Sequence, residues 1–257
     1  MTRICILGDS MIDSFITGTL QPSQDGCPKF VELETVTLPG GAANAARALE
    51  HAGAEVFLIG PVPRNRHESG TWHGIDTELG FDADLPVKTR FIDQTGRICF
   101  RQDTEPITYG ARKAEIAEWR DLAVKAVRNM KFDAVYISDY DKGFVDGFLI
   151  RKIIQVCDDL GIPVVVDPKR HPDCCVGAVL KCNSDYAMRY PGDVGCHSPA
   201  AVVTHGHMPP SIWDDQLRNN VPVGIMPASP TASCTNHVGA GDCFGAWLTY
   251  LLGTGLH

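Results

Sequence analysis

Val238-Gly239-Ala240-Gly241-Asp242-Cys243-Phe244-Gly245-Ala246 sets a glycine-rich turn at the start of an apolar helix and puts an aspartate in that helix's first residues. Small turn residues let backbone N–H groups approach an anion closely, and the helix behind them directs its positive dipole end at the same spot. An aspartate among those donors repels a phosphate. It is well placed, though, to take a proton from a hydroxyl about to attack one. The turn therefore suits phosphoryl transfer, with Asp242 as general base and the amides of Gly239, Ala240 and Gly241 as an anion hole. An ordinary helix N-cap at a sharp bend is the structural alternative, and the turn alone leaves both open.

Two stretches nearer the N-terminus shift the balance. Leu38-Pro39-Gly40-Gly41-Ala42-Ala43-Asn44 places two glycines before an alanine-rich helix, so backbone can come close to a ligand. Asn44 is a poor helix former in the first turns and needs a cap or a ligand to explain it. Tight helix packing is the plainer reading. Gly8-Asp9-Ser10-Met11-Ile12-Asp13 follows the apolar run Ile4-Cys5-Ile6-Leu7, which sets carboxylates at the carboxyl edge of a sheet, where α/β proteins bind ligands.

Strand-like runs at 4–7, 55–59, 134–138, 164–166 and 200–204 alternate with helical spacing over 42–52, 113–130 and 148–160. Gly53 and Gly161 punctuate returns from helix to strand. The pattern predicts an α/β fold: a doubly wound, mostly parallel sheet flanked by helices, in one domain over 1–257. Stretches 14–37 and 86–101 break the rhythm. Their threonine, valine and phenylalanine content fits antiparallel strands outside the main sheet.

The order of these motifs resembles the ribokinase-like (PfkB) carbohydrate kinases, and within them the kinase domain of bacterial heptose-phosphate kinases of lipopolysaccharide precursor synthesis. The resemblance runs from Gly8 to about Gly245. It also rests on Lys88-Thr89-Arg90, Arg101-Gln102-Asp103-Thr104-Glu105, Ser138-Asp139-Tyr140-Asp141-Lys142-Gly143 and Asp167-Pro168-Lys169. It implies a small β lid over the sugar, built from 14–37 and 86–101, and a homodimer through that lid. It implies transfer of the γ-phosphoryl of ATP, with Mg²⁺, to the anomeric hydroxyl of a heptose 7-phosphate. Asp13, Gly40, Gly41 and Asn44 would bind sugar hydroxyls. Lys88, Arg90 and Arg101 would meet the phosphate already on the sugar, unless they form a solvated strand face. Asp139 and Lys142 would line the sugar site. Lys169, Lys181, Asn183, Thr204 and Gly206 would face the nucleotide, with Asn183 and Asp185 nearest the magnesium.

The chain departs from that family at several points. Tyr186 stands where the Asn-x-x-Glu motif has its Glu, and Asn236 and Val238 replace the usual Asp and Thr before the turn. The second glycine expected after Val203-Thr204-His205-Gly206 is not apparent. Residues 61–84 are shorter than usual, and 189–195 replace much of a helix. The sequence ends at His257, soon after the Asp242 helix, where family members continue through helices that help close the adenine pocket. Two alternatives to the heptose-phosphate kinase follow: another sugar or nucleoside kinase of the family, and a sugar-phosphate-binding protein that has lost kinase activity.

Composition excludes other classes. The net charge of −8 argues against generic binding to nucleic acid or anionic membranes. No basic N-terminal region precedes a long apolar run, and no segment is long enough to span a bilayer, so a cytoplasmic protein is expected. The ten cysteines contain no Cys-x-x-Cys and read as reduced thiols. His205-Gly206-His207 has no matching cluster and reads as loop histidines rather than a metal site. No Gly-x-Gly-x-x-Gly follows the first strand, which sets a dinucleotide oxidoreductase aside.

Overall fold

Alternation within a single strand explains the layers. In β1 (Arg3–Gly8) Cys5 and Leu7 point into one apolar core, while Ile4 and Ile6 point into another. A strand buried on both faces is what a doubly wound parallel sheet requires. The computed structural model describes residues 1–64, 72, 75–106, 113–170, 172–190, 200–206, 208–214, 219–222 and 238–255.

After β1 come β2 (Ser10–Gln21), β3 (Lys29–Gly41), α1 (Ala42–His51), β4 (Glu55–Pro63), β5 (Gly80–Ala83), β6 (Val87–Asp93) and β7 (Ile98–Thr104). Next are α2 (Lys113–Asn129), β8 (Ala134–Ser138), α3 (Gly147–Leu160), β9 (Val164–Asp167), β10 (Val179–Asn183) and α4 (Ser184–Arg189). The chain closes with β11 (Ala200–His205), β12 (Met208–Asp214), β13 (Asn219–Pro222) and α5 (Ala240–Gly253). Among the described residues the main sheet has nine strands in the order β13-β12-β11-β10-β9-β8-β1-β4-β5. Pairing is parallel from β11 through to β5, and β12 and β13 add an antiparallel edge.

Helices cover both faces. One core holds Ala123 and Val127 of α2 with Leu149, Ile150 and Ile153 of α3. The opposite core holds the alanines of α1, Leu49 and Ala246 of α5. α3 has local reasons to start and stop where it does: the Asp146 carboxylate accepts from Leu149 N, and Gly161 ends the helix with φ 67°.

The expected lid is present as a second sheet in the order β3-β2-β6-β7. Two antiparallel pairs, β2 with β3 and β6 with β7, join through a parallel pairing of β2 with β6. The lid strands start earlier than the sequence suggested, at Ser10, so Gly8 and Asp9 form the pivot between the sheets. A Cβ on Gly8 would lie 2.4 Å from Ser138 O and 2.9 Å from the Ala42 side chain, so only glycine fits there. The sequence pattern missed β5, β10, β12 and β13. In β10 the central Lys181 breaks the apolar run, although the folded strand buries that lysine.

Candidate active site

The turn before α5 places Asp242 as a buried carboxylate. Gly239 takes φ 80°, a left-handed conformation, and a Cβ there would lie 2.3 Å from Asn44 Nδ2. Asn44, in the first turn of α1, reaches 195 residues along the chain to donate from Nδ2 to Gly239 O at 3.1 Å and to Asp242 Oδ2 at 3.3 Å. The Tyr140 hydroxyl donates to Asp242 Oδ1 at 2.7 Å. Asp242 is only 3% exposed, and burial pushes its carboxyl up to about 6. The nearby Asp167 charge adds to that rise, while the Tyr140 and Asn44 hydrogen bonds and Lys181 oppose it. A carboxyl with that poise ionises at neutral pH yet remains basic enough to accept a proton.

The lid presents one charged face and one aromatic face. Register pairs Asp13 with Lys88, Phe15 with Arg90, Lys88 with Asp103, and Arg90 with Arg101, so strand alternation gathers these side chains on one side. Arg90 Nη1 donates to Asp13 Oδ1 at 2.6 Å in a buried ion pair. Gly40 lies against the same carboxylate; its missing Cβ would be 2.4 Å from Asp13 Oδ2. Lys88 Nζ sits 4.7 Å from the centroid of the Tyr140 ring, and burial lowers its pKa against the pull of Asp13. Arg101 is exposed and held by Asp103 at 2.8 Å, and Lys142 pairs with Glu105. Of the cations that the family resemblance assigned to a sugar-bound phosphate, Arg90 and Arg101 thus already carry carboxylate partners.

A cleft of 760 Å³ opens at the carboxyl ends of β9, β10 and β11. Its walls include Asp139, Tyr140, Lys169, Lys181, Asn183, Asp185, Thr204, Gly206, Ala240 and Gly241. Every residue that the family resemblance assigned to a nucleotide therefore lines one opening. Lys181, 4% exposed, pairs with Asp167 and lies beneath the turn, 3.1 Å from where a Gly241 Cβ would be. Asp139 accepts from the backbone N–H groups of Asp141 and Lys169, and burial raises its pKa. Asp242, Asn44, Asp13 and Lys88 lie outside this lining. Tyr140 borders both sides.

No family model matches the chain. Residues in the chain align at 34% identity over 177 positions, 65% of its length, with the bifunctional protein HldE of Caulobacter vibrioides, covering 35% of that protein. A D-beta-D-heptose 7-phosphate kinase of Bordetella bronchiseptica is 32% identical over 179 residues, covering 65% of this chain and 54% of the kinase. The chain thus spans from about a third to about half of the curated relatives it matches. Arabidopsis thaliana ribokinase, complexed with ribose and ATP, superposes with a TM-score of 0.69 at 13% identity, covering 100% of this chain and 87% of that one. The tetrameric inhibited form of Escherichia coli phosphofructokinase-2 gives a TM-score of 0.69 at 17% identity, covering 100% and 89%. The chain has the ribokinase-like fold.

Within this ribokinase-like scaffold, two features escaped the sequence reading. Asp9, fully buried, accepts from the backbone N–H groups of Tyr140, Lys142, Phe144 and Val145 and so ties the loop after β8 to the pivot. The Gly8-Asp9 pair carried the signal, but nothing in the sequence said which loop it would meet. Tyr140 was visible only as a motif letter. Asn183 Oδ1 accepts from Tyr186 N at 2.8 Å and so caps α4, and Tyr186, in place of a Glu, turns inward with its hydroxyl unpartnered. His205, expected in a loop, is instead the last residue of β11, and its Nε2 lies 2.9 Å from Ser211 Oγ of β12. His207, Asn236, Cys196 and Cys234 lie outside the described residues, as do parts of 61–84 and 189–195. Cys5, Cys157, Cys174 and Cys182 are buried thiols. No described helix is long and apolar enough to cross a membrane.

Proposed function

We propose that this chain is a carbohydrate kinase that transfers the γ-phosphoryl of ATP to a sugar phosphate, a heptose 7-phosphate at its anomeric hydroxyl. The observation carrying this reading is the buried Asp242 carboxylate, held by Tyr140 and Asn44 behind a turn whose Ala240 and Gly241 line the cleft. The sugar relatives named above, and the ribokinase-like fold, support the same class.

The residues fit the nucleotide. The cleft has the size of a small-molecule site, and Lys169, Lys181 and the N-terminus of α5 supply the positive potential that phosphates need. Among the described residues no cluster of three metal-binding side chains occurs. Magnesium in nucleotide sites needs only one or two protein ligands beside the phosphates, and Asp185 lines the cleft to provide one, next to Asn183, which caps α4. When bound it would neutralise charge on the phosphoryl oxygens.

In this mechanism the sugar lies beneath the lid, with its hydroxyls at Asp13, Asn44 and the Gly40-Gly41 backbone and its existing phosphate near Lys88. Asp242 takes the proton from the attacking hydroxyl. The amides of Gly239, Ala240 and Gly241 hold the transferring group, with Ala240 and Gly241 forming part of the cleft wall. Turnover should fall on the acid side of about 6 as Asp242 protonates. A coupled kinase assay over phosphorylated and free heptoses and hexoses tests the proposal. Turnover of heptose 7-phosphate is expected, falling roughly 10²- to 10⁴-fold in Asp242→Asn. Near-wild-type turnover in that variant would remove the assigned base.

One observation favours a second reading. Asn183 is committed to a helix cap, and Tyr186 turns its ring into the core, which weakens the nucleotide half of the site. A sugar-phosphate-binding protein without kinase activity would show thermal stabilisation by sugar phosphates and none by Mg·ATP.

A further inference from the structure

Tyr140 stands where the two halves of the site meet. It follows β8, and its backbone N–H is held by Asp9 Oδ2 at 3.0 Å, so the side chain is anchored at its root. Its hydroxyl donates to Asp242 Oδ1 at 2.7 Å, while its ring lies under Lys88 Nζ, 4.7 Å from the centroid. The Cβ that Gly41 lacks would come within 3.5 Å of the same ring, so the lid-to-α1 junction also packs on it. Burial holds the phenol well above its ordinary pKa, and it remains a donor across the working pH range.

We propose that Tyr140 is a positioning residue that couples the proton acceptor to the lid, its hydroxyl fixing Asp242 and its ring seating Lys88 for the phosphate of the sugar. This rests on the kinase reading above and deepens it. A phosphate engaging Lys88 would bear on the ring whose other end orients the carboxylate, so the group that marks the substrate and the group that activates it share one side chain.

The groups facing Asp242 are Tyr140 from the loop after β8, Tyr136 from β8, Asn44 from α1, Asp167 from β9, Lys181 from β10 and its neighbour Cys243 in α5. Removing the phenol hydroxyl takes away a donor to the ionised carboxylate and leaves the rest, so the carboxyl should protonate more easily. A hydrogen bond to a charged group corresponds to about one to two pH units. Tyr140→Phe keeps the ring and Tyr140→Leu removes both functions.

Expected for Tyr140→Phe is an acid limb of the kcat–pH profile moved up by about one to two units, with KM for the sugar phosphate within about twofold of wild type. Tyr140→Leu should show the same shift together with a several-fold higher KM for phosphorylated sugars. Lys88→Met should raise that KM without moving the limb. A Tyr140→Phe profile that superimposes on wild type overturns the hydroxyl role, and equal KM values for the Phe and Leu variants overturn the ring role. Should wild type phosphorylate no sugar phosphate, the kinase reading falls. The carbon-13 NMR titration of the Asp242 carboxyl, assigned through Asp242→Asn, then decides by itself: an unchanged midpoint in Tyr140→Phe sinks the coupling.

Discussion

Asp9 and Asp242 are two buried carboxylates that burial lifts to about 6, and they spend that strain differently. Asp9 accepts from four backbone N–H groups and holds a loop, whereas Asp242 accepts from side chains beside a cleft. Both bind protons more tightly in the folded state than in the unfolded chain. Their protonated forms therefore stabilise the fold fully below about pH 4, and that contribution is lost as pH rises through about 6. For Asp242 the loss at neutral pH is about 3 kcal/mol. Asp242→Asn keeps an acceptor for Asn44 and a donor for the Tyr140 oxygen. It should raise Tm by several degrees at pH 7.5 while lowering turnover roughly 10²- to 10⁴-fold, with the stability gain vanishing near pH 4 in calorimetry. Asp9→Ala should do the opposite. The relief of about 3 kcal/mol is outweighed by four unpaired donors at about 1–3 kcal/mol each, so urea unfolding should report a less stable protein at every pH above 6. Arg90→Met would leave Asp13 buried without its partner, a loss of roughly 3–5 kcal/mol, visible in the same experiment.

At the scale of the element, α5 separates packing from chemistry within a single turn and a half. Gly245 lies against Tyr136, whose hydroxyl would be 2.4 Å from an added Cβ. Gly245→Ala should therefore destabilise by about 1–3 kcal/mol through overpacking, while the pH midpoint of Asp242 stays near its wild-type value. Gly239→Ala meets both a left-handed φ and the Asn44 amide, so it should displace the carboxylate's partner and depress kcat more than stability. Comparing the two variants by denaturation and by turnover distinguishes a helix that is only packed from one that also presents a site. α1 acts on the same place from the other side: its alanines allow close packing, and its one polar residue near the start, Asn44, spans to α5.

Over the whole molecule, the lid divides its faces by alternation. Asp13, Lys88 and Arg90 occupy one face, while Phe30, Phe91 and Phe100 cluster on the other, with Phe91 and Phe100 stacked at 4.1 Å. Phe100 and Leu33 remain 45% and 63% exposed. Apolar surface on a lid is stabilised by covering it, and the homodimer through the lid that the family resemblance implies would give it a cover. Sedimentation at micromolar concentration should show a dimer, and Phe100→Glu with Leu33→Glu should shift it to monomer with the fold intact. A wild-type monomer would remove that part of the proposal.

What was legible in the sequence follows from locality. The strands at 134–138 and in β1, and the span of α3, rest on short-range periodicity, capping and glycine stops, each readable within a dozen residues. The turn at Asp242 and the two glycines before α1 were visible for the same reason, as backbone conformations that demand small residues. β10 was hidden because its lysine is affordable only beside Asp167, a neighbour fourteen residues away in sequence that the strand order brings adjacent. Arg90 read as a free cation until the parallel register of β2 and β6 set it against Asp13, and Asp9 read as a site acid until its four amide partners closed around it. The sequence by itself determined the doubly wound sheet, the strands set apart from it and the glycine-rich turn that carries Asp242, because these are properties of local chain geometry. Only the tertiary structure decided which charges are already neutralised and which side chain, Tyr140, touches both Lys88 of the lid and Asp242, because pairing and burial depend on contacts between residues that the chain keeps far apart.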